Sequence, residues 1–328
     1  MSGRLKAKVA RAAESGAVVW LIVLVLALFA SIQSSGFGTF ANLSNVSRQG
    51  SLLAIVALGV FVVVLLGHYD VSIAANAKVS SICAALTMNG LDANLAVGVA
   101  VGLGVGLLIG VVNAILVVRL KVESFIATLG TGTILTGLAV FVAPTPVGKA
   151  APSLSAFYQQ RVGGLYVVVL VIALLWIATW FVLRRTVPGR HVFAVGADSH
   201  VAEMSGIAVT KIQVSGFLAS GLLGGLAGLF VLASAGLGDA NAAAGLEFTA
   251  LATVVIGGAS LDGGRGKLLG LLGGVVLFAL IGNIFNMLRI DVWYQELLRG
   301  LVILVAAAMF AGGARTIVRR RPRAARPA

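Results

Sequence analysis

Charge is what this sequence has least of: Asp, Glu, Lys and Arg make up 11% of its 328 residues, and only 11 residues are acidic. A water-soluble domain carries about a quarter charged residues. With 59% hydrophobic residues and a mean hydropathy of +1.05, too little polar surface remains to cover a body in water. The outer surface therefore faces lipid. Cysteine is nearly absent as well. Cys83 stands alone in an apolar stretch, which excludes an internal disulfide and a cysteine-based metal cluster and leaves a buried, inert thiol as the expectation. The three histidines, His68, His191 and His200, are not spaced with carboxylates or cysteines as metal ligands would be. No metal site is expected. No catalytic constellation is present either, so the sequence does not read as an enzyme.

What charge there is has one sign, a formal net of +13. Such an excess can mark a nucleic-acid binder, but the positions argue otherwise. Arg4, Lys6, Lys8 and Arg11 precede the first apolar run. Arg184, Arg185, Arg190 and Lys211 bracket a central polar stretch, and Arg315, Arg319, Arg320, Arg321, Arg323 and Arg326 fill the end of the chain. Basic residues beside apolar spans follow the positive-inside rule, which places all three segments in the cytoplasm, against anionic lipid headgroups. The expected organisation is a basic cytoplasmic segment 1–16, a membrane domain 17–313 and a basic cytoplasmic tail 314–328. The run from Val18 to Ala30 resembles the apolar part of a signal peptide, but no convincing cleavage site follows and more spans come after. It reads as a retained first helix.

A helix needs about 20 apolar residues to cross the hydrocarbon core. Candidate spans are 17–33, 51–67, 71–89, 94–118, 125–143, 165–183, 212–236, 247–259, 268–287 and 295–313. The fold class is thus all-α: a polytopic membrane protein of about ten transmembrane helices, some broken or re-entrant. Starting inside, this parity puts 119–124, 184–211 and 314–328 in the cytoplasm, and both termini with them. The weak members are 71–89, which contains Asn76 and Lys78, and 247–259, which is short. Interrupted helices are tolerated where they line a cavity. For Lys78, snorkelling near an interface is favoured over a place in a pore. The 42 glycines fit close helix contacts.

Two polar stretches stand out. Residues 144–164 are rich in Pro, Ser and Gly and fall outside, where they can touch an external partner. Residues 184–211 form the longest internal loop, with Pro188-Gly189 as a breaker. Within it, Asp198 or Ser199 can cap a short helix running through Ala202, Glu203 and Met204 to Gly206. Such a helix suits docking on a motor subunit; an ordinary surface loop is the other reading.

The glycine-rich stretch from Gly257 to Gly266 (GGASLDGGRG) invites a phosphate-loop reading, which fails. A Walker loop needs G-x-x-x-x-G-K-[ST], whereas Gly266-Lys267 is followed here by Leu268. Any energy from ATP must come from another chain. An ion-coupled secondary transporter of a small polar solute is the competing class. Asp70, Lys78 and Glu247 are the nearest ionisable groups, each at a probable span end or break, which weighs against a proton relay. Sodium sites built from carbonyls stay open.

Four segments in order resemble one family. Val122 to Thr131 (VESFIATLGT) resembles "PSFIATLGT" at the start of a span. Val255 to Gly266 (VIGGASLDGGRG) is similar to "GG-x-S-x-x-GG-x-G". Gly189 to Gly196 (GRHVFAVG) with Ser205-Gly206-Ile207 resembles "GR-x-x-x-A-x-G…SGI", and Asp70-Val71-Ser72 stands where the family reads "DLS". The family is that of ribose-type ABC transporter permeases, which import simple sugars. The resemblance implies a membrane-spanning permease subunit in the bacterial cytoplasmic (inner) membrane. Its implied partners are a separate ABC ATPase subunit, an extracytoplasmic substrate-binding protein and a second permease copy, identical or homologous. It implies no cofactor in this chain, since ATP and magnesium belong to the ATPase. The docking contact it implies falls on Ala197, Asp198, Ala202, Glu203, Met204, Ser205, Gly206 and Ile207. Departures from the pattern are His68-Tyr69 in place of a second glycine, Glu123 in place of a proline, no Asn at 197 or 198, and Lys78.

A sugar is neutral and many-hydroxylated, so its path needs hydrogen-bonding groups rather than a strong fixed charge. The candidates are Asp70, Ser72, Asn76, Asn113, Ser124, Thr128, Thr131 and Asn283, with Asn286 three residues further on. Ser and Thr in membrane helices more often bond backbone or a neighbouring helix. An amide is costly in lipid unless paired, which favours Asn113 and Asn283.

Overall fold

The computed structural model describes residues 16–291 and, beyond them, 293–295, 297, 298, 300, 301 and 304. Nearly all of the basic segment 1–16, most of the expected span 295–313 and the tail 314–328 lie outside the described residues. The described chain is helical almost throughout: α1 Ala17–Gln33, α2 Phe40–Leu65, α3 Ile73–Met88, α4 Leu95–Ala114, α5 Ser124–Val142, α6 Pro152–Gln159, α7 Val167–Arg185, α8 Val187–Ala197, α9 Ser199–Met204, α10 Val209–Ala235, α11 Leu246–Ile256 and α12 Leu268–Met287. A π-helical turn, Ile115–Arg119, extends α4. The described strands are two short ones, β1 Arg161–Val162 and β2 Leu165–Tyr166, paired antiparallel in a hairpin.

Among the described residues, six helices, counting α4 with its flanking turns, are long and apolar enough to cross a membrane. They are α2, α4, α5, α7, α10 and α12. Helices α1, α3 and α11 are apolar but shorter, at 17, 16 and 11 residues. The expected span 247–259 is therefore too long: α11 stops at Ile256, where Gly257 and Gly258 begin the glycine-rich loop. The expected span 51–67 is too short. Arg48 lies just before it, and in the fold its guanidinium lies over the Tyr158 and Tyr166 rings, 5.6 and 4.7 Å from their centroids, while α2 starts at Phe40.

The connections gather in two layers, and successive apolar helices run between them alternately. In one layer Gly264 N–H donates to Leu65 O at 2.9 Å, Tyr69 hydroxyl to Leu261 O at 2.9 Å, and Tyr69 N–H to Ser124 Oγ at 3.0 Å. The end of α8 joins the same layer, because Gly264 rests against Ala197. In the other layer Val147 and Gly238 form a β-bridge, Gly90 N–H donates to Lys149 O at 3.0 Å, and Ser44 Oγ donates to Gly164 O at 3.0 Å. The expected parity places these groups on common sides in the same way.

Helices α2, α3 and α10 form the buried centre, with Phe61, Ile73 and Phe217 sealed among them. Helices α4, α5 and α7 turn large apolar side chains outward: Ile126, Ile134, Phe141 and Leu174 are all at least 65% exposed. An aliphatic exterior around a small-residue centre inverts the soluble pattern, as a lipid solvent requires. The centre closes through a glycine seam. Gly106 and Gly110 of α4 lie on Gly221 and Gly225 of α10, and a Cβ at Gly106 would sit 2.6 Å from Gly221 O.

Candidate functional site

The chain between α2 and α3 is unwound and buried, and Asp70 is its centre. An unwound segment exposes backbone donors that must find acceptors away from water. Asp70, 3% exposed, supplies them. Its Oδ1 accepts from Ser72 N–H at 3.0 Å and from Ser72 Oγ at 2.7 Å, and its Oδ2 accepts from Ser220 Oγ of α10 at 2.6 Å. Asn113 of α4 continues the chain, donating from Nδ2 to Ser72 Oγ at 2.7 Å. The Asn113 carbonyl, Oδ1, is sealed and accepts from no described residue.

The first turns of α5 hold the same segment from the other side. Thr128 Oγ1 accepts from Val71 N–H at 3.1 Å, and Ser124 Oγ accepts from Tyr69 N–H at 3.0 Å. Glu123 caps α5, accepting from Ile126 N–H at 2.9 Å and Phe125 N–H at 3.1 Å. These two bonds hold its carboxyl below the usual glutamate range. Glu123 thus starts the helix through its side-chain carboxylate.

One turn into α3, Asn76 spreads its Nδ2 between Gly221 O at 3.1 Å and Gly106 O at 3.3 Å, while Ser80 Oγ donates to its Oδ1 at 3.0 Å. This amide sits on the glycine seam itself, and the lack of a side chain at Gly224 makes room for it. The structure therefore brings together Asp70, Ser72, Asn76, Asn113, Ser124 and Thr128. It does not bring in Thr131, which donates to Ala127 O of its own helix at 3.0 Å. Asn283 is also apart, exchanging amide bonds of 3.1 and 2.9 Å with Asn42 of α2. Three members of these networks went unread in the sequence, Ser80, Ser220 and Asn42. Ser220 sits in a Gly- and Ala-rich span with no pattern to mark it, and Asn42 lies before the apolar run that announces α2. Lys78 lies at mid-helix on α3 and is 7% exposed.

The polar stretch 184–211 is helix–turn–helix rather than loop. Pro188 lies in the first turn of α8, capped by Thr186, so the break precedes it by two residues. Asp198 caps α9, its Oδ1 accepting from His200 N–H and Val201 N–H at 3.0 Å each. The far end closes as a Schellman turn: Gly206 has φ +80, Gly206 N–H donates to Glu203 O at 2.9 Å, and Ile207 N–H donates to Ala202 O at 3.1 Å. Ala202 is buried and Ile207 packs on the core, while Ala197, Asp198, Glu203, Met204, Ser205 and Gly206 face out. Met204, 78% exposed, and Val201 present an apolar knob one helical turn wide.

A many-helix membrane body with a buried polar break and an outward capped helix is the frame of a transport subunit, and comparison with known proteins agrees. Residues 42–307 match the family described as "Branched-chain amino acid transport system / permease component". The chain belongs to this permease family. The permease is 36% identical over 293 residues to the probable ABC transporter permease protein YphD of Escherichia coli (strain K12), covering 87% of this chain and 86% of that one. It is 34% identical over 294 residues to the ribose import permease protein RbsC of Bacillus subtilis (strain 168), covering 88% and 91%. It is 30% identical over 292 residues to the D-allose transport system permease protein AlsC of E. coli (strain K12), covering 88% and 89%. No solved structure matches the permease. The resemblance carried by Asp70-Val71-Ser72 and the other motifs is thus to permeases of this kind, not to ion-coupled carriers.

Proposed function

We propose that this chain is the membrane-spanning subunit of a binding-protein-dependent ABC importer, forming the path for a simple sugar or similar small polar solute. The observation that carries the reading is near-full-length similarity to ribose import permeases. In this reading α9 docks on a separate ATPase subunit, which binds ATP and magnesium, through Ala197, Asp198 and Ala202 to Ile207. An extracytoplasmic binding protein delivers the solute, and a second permease copy completes the pore. The layer holding α9 faces the cytoplasm, with both termini. Among the path candidates Asn113 has the strongest support, because its Oδ1 has no donor among the described residues and a solute hydroxyl can supply one. Asp70, Ser72, Asn76, Ser124 and Thr128 line the same unwound region. Thr131 and Asn283 have weaker support, since they bond Ala127 O and Asn42 and take no part in this network. ATP-driven closure of the motor dimer pushes α9 and shifts the two permease copies between inward- and outward-open packings.

The test is co-purification from the native membrane, followed by an ATPase assay. Recovery of a nucleotide-binding subunit is expected, lost when Met204 and Val201 are both changed to Asp while the permease stays folded. A permease that purifies alone and takes up solute in vesicles without ATP would sink the reading.

A further inference from the structure

Lys78 is the one basic side chain in the buried centre among the described residues, and nothing there answers its charge. It lies on α3, 7% exposed, between Ala77 and Val79, with Ala74, Ser81 and Ala85 of its own face fully or nearly sealed. Its carbonyl accepts from Ser81 Oγ at 2.7 Å, but its ammonium donates to no described residue. Nor is the ammonium shut in. Among the described residues, the side-chain polar atoms both sealed and unpaired are Arg48 Nε, His68 Nε2, Asn113 Oδ1 and Trp176 Nε1, so Lys78 Nζ keeps an opening.

Helical spacing gives the direction of that opening. Asn76 and Ser80, on the seam with α4 and α10, lie on the opposite face. Ile82, one turn on from Lys78, packs with Ala139 of α5, with Ala143 just past its end and with Ala240 before α11. Lys78 thus points between α5 and the segment leading into α11, away from the Asp70 network. Asp70 cannot serve as its counter-ion. The carboxylate precedes α3, about two helical turns away, and both its oxygens are taken by Ser72 and Ser220.

An ionisable side chain on an apolar helix that opens between helices marks, in transporters, the route of a charged species. We propose that Lys78 is the counter-charge for a carried anion, and that the solute is a polyol bearing a carboxylate, a sugar acid, rather than a neutral sugar. The proposal rests on the permease reading and narrows its substrate class. The hydroxyls of a sugar acid still need acceptors and donors such as Asn113, while its carboxylate needs one fixed cation that a neutral sugar does not.

The whole importer, permease with its ATPase and binding protein, is reconstituted in proteoliposomes, and uptake is followed for D-ribose against D-ribonate and D-galactose against D-galacturonate. At least one acid enters about tenfold faster than its neutral partner. Lys78→Met abolishes that preference, Lys78→Arg keeps it, and both variants still co-purify with the ATPase as dimers. Uptake of the neutral sugars only, or of neither acid, overturns the proposal. So does Lys78→Met carrying the acid as fast as the parent, or losing its dimer, which would put the missing carboxylate on the second copy. Lysine-dependent acid uptake that needs no ATP leaves the proposal standing and defeats the ATPase-driven reading instead.

Discussion

At the scale of single residues, Asp70 holds the unwound segment together, and its removal shows how much rests on it. Asp70→Ala strands Ser72 N–H, Ser72 Oγ and Ser220 Oγ in a site closed to water. The expected loss is roughly 3 kcal/mol, read as a lower unfolding midpoint of the detergent-solubilised protein. Asp70→Asn keeps one oxygen acceptor and should lose less. Glu123 gives a pH prediction with a definite sign. Its folded carboxyl is held below the ordinary value by the Ile126 and Phe125 N–H groups. The stability it adds is therefore complete above the ordinary glutamate range and lost as pH falls through the depressed folded value. Glu123→Pro removes that acid-sensitive portion, and an unchanged midpoint-versus-pH slope in this variant would contradict the capping role. Such local devices were legible beforehand: Asp198 was one of two caps expected, because a cap depends only on residues a few places apart. Ser220 was not legible, since its partner lies 150 residues away in sequence.

At the scale of elements, the seam between α4 and α10 and the closed ends of α9 carry separate loads. Without a hydrophobic drive between helices in lipid, close backbone packing must hold α4 on α10. Gly221→Leu pushes side-chain atoms into Gly106 O and the Gly110 backbone and also crowds the amide of Asn76. A cost of at least about 2 kcal/mol is expected, against near-silence at Gly104, where nothing lies within 4 Å. Gly206→Ala meets no atom within 4 Å but must hold φ +80, so its cost of about 1 kcal/mol falls on the end of α9 alone. It should weaken retention of the ATPase subunit while leaving the global midpoint nearly unchanged. Equal falls in both would place α9 in the folding core instead. Glycine content pointed to close helix contacts in general, but not to which helices meet. The pairing of Gly106 with Gly221 depends on how α3 wedges Asn76 between them, and that is a tertiary fact. The start of α2 was hidden for a similar reason: the tyrosines that shelter Arg48, Tyr158 and Tyr166, lie more than 100 residues away in sequence.

At the scale of the whole molecule, the two layers of connections turn a charge rule into a testable orientation. In the proposed orientation, Arg184, Arg185 and Arg190 set α8 and α9 on the cytoplasmic side, as the positive-inside rule expects. The contacts between Gly264 and Ala197 and between Gly264 and Leu65 then carry the glycine-rich loop and the α2 end to that side. Residues 144–166 and 236–245 follow to the other, tied together by the Val147–Gly238 bridge. Short helices do not disturb this order, because α3 and α11 each still lead from one layer to the other. Since Cys83 is the only native cysteine, a Cys83→Ser background permits single reporters at exposed positions. Cysteine at Glu203 or Asp262 should react with a membrane-impermeant maleimide only after cells are permeabilised, and cysteine at Val162 should react in intact cells. Reaction of 203 and 162 from the same side would break the alternation itself. Labelling of 203 in intact cells with 162 protected would keep the alternation but invert the protein, leaving α9 on the wrong side of the membrane for any ATPase in the cytoplasm.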